Sequence, residues 1–144
     1  MTDVPVRTLV EGEAEGEVVK LDVPLSFWGG FDVATGRVID RSHPSCGELL
    51  SGCILVMPSG RGSSSASSIL AEAIRERTAP AGIILAEPDA ILTVGAIVAQ
   101  QLYGKSIPIV VCDPQEFHQF AKSGRVRVTA PPADRLRTAH VLYL

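Results

Sequence analysis

The sequence predicts an α/β protein with a compact β/β/α organisation. Between residues 49 and 120, patterns of buried strand and of helix alternate in the order β-α-β-α-β-α, which is typical of a parallel sheet with right-handed crossovers. Both ends of the chain are rich in strand patterns and carry little helix. We therefore expect one layer of strands drawn from both ends and a second layer in which a parallel sheet packs on helices.

Each element is predicted from a local pattern. Continuous apolar runs indicate buried strands, and apolar residues at helical spacing, such as Ile69, Leu70 and Ala73, indicate helices. Pro80 and Gly104 are stop signals for two of the helices. The predicted strands are 16–23, 49–57, 81–86, 107–112, 124–130 and 138–144, with a short strand within 33–40 and a Pro-rich turn before the last strand. The predicted helices are 67–77, 90–102 and 113–120.

The composition is that of an ordinary globular domain spanning residues 1–144, with 46% hydrophobic and 20% charged residues. A net charge of −3 disfavours general nucleic-acid binding, and no apolar run approaches the roughly 18 residues of a membrane span. The N-terminal 16 residues are polar and acidic, unlike a signal peptide. A cytoplasmic location is therefore the default expectation.

A Gly/Ser loop, PSGRGSSSASS at residues 58–68, lies between a predicted buried strand and a predicted helix. Its backbone N–H groups and hydroxyls, together with the positive end of the helix dipole, favour a bound carboxylate or phosphate. Arg61 could hold such an anion through two parallel hydrogen bonds. The loop lacks the lysine of a P-loop and the third glycine of a dinucleotide fingerprint. The alternative interpretation is a serine-rich N-cap and a solvated turn.

Ligand sites in open parallel sheets lie beyond the carboxyl ends of the strands, so three segments are expected to share one rim: 61–65, 87–89 and 112–113. Glu87 and Asp89 could instead be acids that favour the start of the following helix. His43, a lone histidine before a proline, is more often structural or solvent-facing than catalytic. No Ser/His/Asp triad can be placed.

The three cysteines predict neither a disulfide framework nor a metal site, because their number is odd and their spacing fits no ligand pattern. Cys53 and Cys112 lie in apolar runs and are expected to be core thiols. Cys46 is expected in a turn, where it could be exposed.

A short aromatic segment surrounds a pair of glycines. Phe27 is interpreted as a plug over one end of the core. Trp28 precedes Gly29 and Gly30, whose backbone freedom could let this tryptophan face a ligand or a partner.

Five motifs occur in a fixed order: PLSFWGG at 24–30, His43-Pro44 with Gly47, PSGRGS at 58–63, EPD at 87–89 and LYGK at 102–105. As a set they resemble the small subunit of aconitase X, the swivel-domain part of aconitase-like dehydratases, over about residues 18–111. The resemblance implies a swivelling β/β/α fold. It also implies a separate aconitase X large subunit that carries the cysteine ligands of an iron or iron–sulfur centre. No cofactor is then expected on this chain alone, and no activity without the large subunit.

The resemblance also implies roles for the Gly/Ser loop. Ser63, with Ser65 close behind, matches the serine that removes a proton from the substrate. Arg61 would hold the substrate carboxylate or stabilise the serine alkoxide, which needs a nearby positive charge. The candidate substrate-binding positions are Gly60, Gly62, Ser64, Trp28 and Gly29.

The family includes cis-3-hydroxy-L-proline dehydratases, mainly bacterial, and mevalonate 5-phosphate dehydratases, mainly archaeal. The run Ser63-Ser64-Ser65 looks more like the first type, because the archaeal type tends to have Cys and Thr at the second and third of these positions. Elimination of water from cis-3-hydroxy-L-proline is therefore expected, with mevalonate 5-phosphate as the alternative substrate. A non-catalytic anion-binding or regulatory module and a purely structural subunit are the other interpretations.

Overall fold

The structure of the protein, a computed structural model, describes residues 3–133 and 138–144. The strands are β1 (Asp3–Val10), β2 (Gly12–Lys20), β3 (Ile54–Met57), β4 (Gly82–Leu85), β5 (Ile109–Val111), β6 (Arg125–Ala130) and β7 (Ala139–Tyr143). The helices are a short kinked α1 (Phe27–Gly30), α2 (Ala66–Glu76), α3 (Ala90–Tyr103) and α4 (Pro114–Gln119).

In the described residues, the strands close into one barrel in the order β1-β5-β4-β3-β2-β6-β7. The pairs along β2-β3-β4-β5 are parallel, and those made by β1, β6 and β7 are antiparallel. The predicted α/β class is confirmed, but the prediction of a parallel sheet packed on a separate β layer is wrong. β1 pairs with both β5 and β7, and β2 pairs with both β3 and β6. The parallel part and the antiparallel part therefore share β1 and β2, and the described sheet has no open edge.

The parallel strands are buried on both faces, which explains their continuous apolar sequences. Because side chains alternate along a strand, Ile54 and Val56 of β3 lie in the core inside the barrel. Leu55 and Met57 lie on the opposite face and pack in a second core with α2 and α3. The two helices therefore cover the outside of the parallel strands.

The two long helices begin at the same end of the barrel, directly after β3 and β4. Asp89 caps α3, since its Oδ1 accepts a hydrogen bond from the Leu92 amide at 2.9 Å. Gly104 ends α3 with a φ of 67°, as its sequence position predicted. Gly95 allows the close packing of α3 on α2, because a Cβ there would lie 2.7 Å from the carbonyl oxygen of Ser67.

Three predicted strands differ from the structure, and one observed strand was not predicted. The strand predicted at 16–23 begins four residues earlier and ends at Lys20, as β2. The predicted strand 49–57 is reduced to β3, because a turn with Gly52 at a φ of 73° precedes it. The short strand predicted within 33–40 consists only of isolated bridges, Phe31 with Val38 and Arg37 with Leu49. The strand β1 was not predicted. The expected Pro-rich turn falls partly on residues 134–137, outside the described residues.

No helix in the described residues is long and apolar enough to cross a bilayer.

Candidate functional site

The Gly/Ser loop leaves β3 at the carboxyl end of the parallel strands and leads into α2. Gly60 forms a parallel bridge with Leu25, which holds the segment before α1 alongside the loop. Arg61 is exposed, and across 3–133 and 138–144 its side chain has no hydrogen-bond or ion-pair partner. Its guanidinium is therefore free to bind an anion.

A cavity of about 200 Å³ lies beside the loop. Its lining consists of Leu25, Phe27, Gly60, Arg61, Gly62, Ala66, Asp89, Ile91 and Leu92. Arg61 and Asp89 are the charged side chains in this set, and the other side chains are apolar. The candidate residues Ser63, Ser64, Ser65, Trp28 and Gly29 lie outside this lining, so the structure brings only part of the predicted site around the cavity.

Gly60 and Gly62 lie close to side chains of other segments of the protein. A Cβ at Gly60 would collide with Oδ2 of Asp89, and a Cβ at Gly62 would collide with Oγ of Ser26. Gly62 also has a φ of 93°, a conformation that other residues rarely adopt. These glycines therefore shape the loop and its contacts, a reason that is independent of substrate binding.

The serines of the loop make a tight turn into α2. The Ser65 amide donates to Ser63 Oγ at 3.0 Å, and the Ala66 amide donates to the Ser63 carbonyl at 3.0 Å. The next amides, those of Ser67 and Ser68, donate to the carbonyls of Ser64 and Ser65. The expected set of free N–H groups at the start of α2 is thus largely used within the turn. Ser65 stands at the N-cap position, and its side chain makes no capping hydrogen bond.

The expected rim divides into two places. Asp89 lines the same cavity as Arg61, while Glu87 is exposed and does not. Cys112 and Asp113 line another cavity of about 360 Å³ with residues of β1. The three segments follow adjacent parallel strands and so share one edge of the barrel, as predicted. Neither of these two cavities is lined by all three segments, but Pro88 in the second cavity is the neighbour of Asp89 in the first.

His43 is a structural residue, as the sequence favoured. It is 6% exposed, its Nδ1 accepts a hydrogen bond from the Ser45 amide at 3.0 Å, and its Nε2 lies 3.0 Å from the Val23 carbonyl oxygen. This arrangement requires the neutral tautomer with the proton on Nε2. Both ring nitrogens are thus committed to loop structure.

Asp40 is the charged neighbour of Arg61 that the sequence analysis missed. Hydrogen bonds from the Ser42 hydroxyl and amide lower the pKa of Asp40 below its ordinary value, and the nearby positive charge of Arg61 lowers it further. The carboxylate therefore stays ionised and adds negative charge to the surroundings of Arg61. The sequence around Asp40 gave no indication that this carboxylate lies near Arg61.

The aromatic segment separates into a buried and an exposed part. Phe27 is 1% exposed and stacks on Phe31 with ring centroids 4.8 Å apart, which confirms its predicted place in the core. Trp28 is 55% exposed. Gly29 has a φ of 80° and open space around the position of a Cβ. This surface is available to a ligand or a partner.

The cysteines behave as separate thiols. Cys112 is buried, and burial raises its pKa to about 11. Cys46 is exposed, and Cys53 is half-buried rather than fully in the core. Among the residues that the structure describes, no group of three or more His, Cys, Asp or Glu side chains is placed to hold a metal ion. The side chains of these ranges therefore do not fit an iron or iron–sulfur centre.

Comparison with known proteins gives one consistent family. The family model described as aconitase X swivel domain matches residues 3–137. The chain is 46% identical over 145 residues to cis-3-hydroxy-L-proline dehydratase of Pseudomonas aeruginosa, covering 94% of this chain and 25% of that protein. It is 49% identical over 88 residues to phosphomevalonate dehydratase small subunit of Methanopyrus kandleri, covering 61% of this chain and 65% of that protein.

The fold agrees with this assignment. A crystal structure of Thermococcus kodakaraensis aconitase X in its holo-form superposes with a TM-score of 0.84 at 34% identity, covering 100% of this chain and 99% of the other. The chain spans about a quarter of the length of the cis-3-hydroxy-L-proline dehydratases that it matches. The protein therefore belongs to the aconitase X swivel domain family.

Proposed function

We propose that this domain is one part of a dehydratase that eliminates water from a small hydroxy acid, with cis-3-hydroxy-L-proline as the favoured substrate. The observation that carries the proposal is the unpaired, exposed guanidinium of Arg61, two residues before the candidate base Ser63 in a loop fixed by packing on both sides. Family membership and the 46% identity to a cis-3-hydroxy-L-proline dehydratase support the reaction class.

In this proposal Arg61 holds the substrate carboxylate, and Ser63 removes a proton from the substrate. A serine can act as a base only when its anionic form is stabilised. The Ser65 amide donates to Ser63 Oγ, and a hydrogen bond to the anion lowers the free energy of the alkoxide. No such donor reaches Ser65 Oγ in the described residues, which favours Ser63 over Ser65 as the base.

We further propose that the domain works with a large partner that completes the pocket and carries the iron or iron–sulfur centre. The name of the Methanopyrus relative describes a small subunit, and the matched region is a quarter of the Pseudomonas relative. Large apolar side chains are exposed on α3, and contiguous exposed apolar surface commonly marks an interaction site. These side chains are Val94, Ile97, Val98 and Leu102.

The test is an assay of the domain assembled with its large subunit. We expect turnover of cis-3-hydroxy-L-proline by the pair and none by this chain alone. Turnover of mevalonate 5-phosphate instead would replace the favoured substrate by the alternative one. Full activity of the isolated chain would contradict the proposal.

A non-catalytic module that binds an anion is the second candidate, because the free Arg61 guanidinium favours it equally. Calorimetry on the isolated chain separates the two functions. Tight binding of a small carboxylate or phosphate without any partner, together with an inactive assembled pair, would favour the binding module.

A further inference from the structure

We propose that Asp89 is a specificity-determining residue whose free carboxylate oxygen binds the ammonium group of a zwitterionic substrate, while Arg61 binds its carboxylate. This assignment rests on the proposed function of the same site and defines the substrate class as a small cyclic or aliphatic amino acid. It also gives Asp89 a role beyond capping α3.

The first argument is that two opposite charges share one small cavity without pairing with each other. Arg61 and Asp89 both line the cavity of about 200 Å³, yet no ion pair joins them within the described ranges. An internal ion pair would neutralise both groups. Because they remain apart, a ligand that carries both a cation and an anion can bridge them.

The second argument is that the two carboxylate oxygens of Asp89 have different surroundings. Oδ1 accepts the hydrogen bond from the Leu92 amide and so caps α3. Oδ2 lies where a side chain at position 60 would project and has no hydrogen-bond partner in the described residues. No fully buried side-chain oxygen in the described residues lacks a partner, so Oδ2 is at least partly accessible to solvent. One oxygen therefore fixes the carboxylate in place, and the other is available to a ligand.

The third argument is the match between the cavity and the ligand. Apart from the two charges, the side chains of the lining are apolar, among them Leu25, Phe27 and Ile91, which suits a hydrocarbon ring. A ring amino acid places its ammonium and carboxylate on adjacent atoms and buries its carbons. A ligand with two anionic groups and no cation would instead bring negative charge towards Asp89, which is unfavourable.

The test uses Asp89→Asn in the assembled enzyme, with Asp89→Ser as a second variant, because both residues are good N-caps and keep α3 intact. Glu87→Gln is the matched control, since it removes the same charge from an exposed neighbour outside the cavity. L-Proline, cyclopentanecarboxylate and pyrrolidine are the probes, because the last two lack the cation and the anion respectively. Binding is measured by calorimetry, and KM and kcat are measured with cis-3-hydroxy-L-proline.

We expect the wild type to bind L-proline more tightly than cyclopentanecarboxylate, and Asp89→Asn to reduce this preference roughly 10- to 100-fold, the range expected for one charged hydrogen bond. KM should rise by a similar factor, with a smaller change in kcat. An unchanged preference in both variants, or an equal loss in Glu87→Gln, would overturn the assignment. If the assembled enzyme lacks dehydratase activity, the proposed function fails, and the proline preference still decides the role of Asp89.

Discussion

The Oγ of Ser26 occupies the space into which a side chain at Gly62 would project. The same hydroxyl donates a hydrogen bond to the Trp28 carbonyl at 3.0 Å, which holds the turn before α1 in shape. Ser26 thus lies between the exposed tryptophan and the loop that carries Arg61. The position of the guanidinium depends on a contact between two segments 36 residues apart in sequence.

Substitution Gly62→Ala should therefore displace the loop. The added Cβ meets Ser26, and the φ of 93° adds backbone strain of about 1 to 2 kcal/mol. We expect a large loss of dehydratase turnover in the assembled enzyme and a lower midpoint of urea unfolding. Gly104→Ala, which has a φ of 67° and open space, controls for strain alone. Ser26→Gly should partly restore Gly62→Ala, and an absence of any coupling between the two sites would contradict this explanation.

Substitution Ser63→Ala should lower kcat by about 10²- to 10⁴-fold if this serine is the base. It also removes the acceptor of the Ser65 amide, so a stability loss of about 1 kcal/mol is expected beside the loss of turnover. Ser68→Ala is the control, since Ser68 is exposed and its side chain makes no hydrogen bond in the described chain. Turnover that survives in Ser63→Ala but is lost in Ser65→Ala would transfer the role to Ser65.

The exposed apolar side chains of α3 can be tested with Ile97→Glu. If the large partner covers this face, burial of the new charge should weaken assembly by at least about tenfold, measured by analytical ultracentrifugation. Gln119→Glu on α4 adds the same charge on another exposed surface and should leave assembly intact. Equal affinities for the two variants would place the partner elsewhere.

Substitution His43→Leu should lower stability without acting on chemistry. It leaves the Ser45 amide and the Val23 carbonyl without their partner, which costs about 2 to 3 kcal/mol of unfolding free energy. His118→Leu, at an exposed position of α4, should change stability by less than about 0.5 kcal/mol. A stable His43→Leu protein that loses turnover would instead indicate a catalytic histidine.

Glu15 makes folding stability depend on pH. Hydrogen bonds from Arg125 and then Arg127 lower the pKa of Glu15 from its ordinary value of 4.5. A carboxyl with a lowered folded pKa stabilises the fold above its unfolded pKa, and this contribution is lost as the pH falls through the folded pKa. The melting temperature of Glu15→Gln should therefore lie below that of the wild type at pH 7.

The difference in melting temperature between Glu15→Gln and the wild type should decrease as the pH falls below 4.5 and through the lowered folded pKa. It should also decrease in high salt, because the ion pairs of Glu15 are exposed. Thermal unfolding followed by circular dichroism at several pH values measures it. Glu11→Gln serves as the control, because Glu11 has no ion-pair partner in the described residues. A difference that stays constant from pH 7 to pH 3 would exclude the linkage.

Elements that are specified by residues close together in the sequence could be predicted. α2 and α3 were placed within one residue of their observed ends, because helical spacing and the stop signal at Gly104 lie in the sequence itself. The parallel strands were recognised because burial on both faces leaves no polar positions. The loop that carries Arg61 was recognised from its glycines, serines and arginine between a strand and a helix, and the family resemblance added the expected roles of its residues.

Contacts between distant segments could not be predicted in the same way. Closure of the barrel depends on pairing of β1 with β7, with Asp3 opposite Leu142. The alternation of exposed and buried residues in β1 is typical of a strand buried on one face, but it does not show which strands are its partners. The contact of Asp89 with Gly60 joins two loops and has no local signal. The expected rim follows from the order of the parallel strands, but the sequence does not show that its residues line two cavities instead of one.

The closed barrel also determines where a second protein could be joined covalently to this domain. The pairing of Asp3 with Leu142 places both ends of the described chain beside each other, near the carboxyl end of β5. A polypeptide attached at either end would leave from the same side of the molecule as the Arg61 loop.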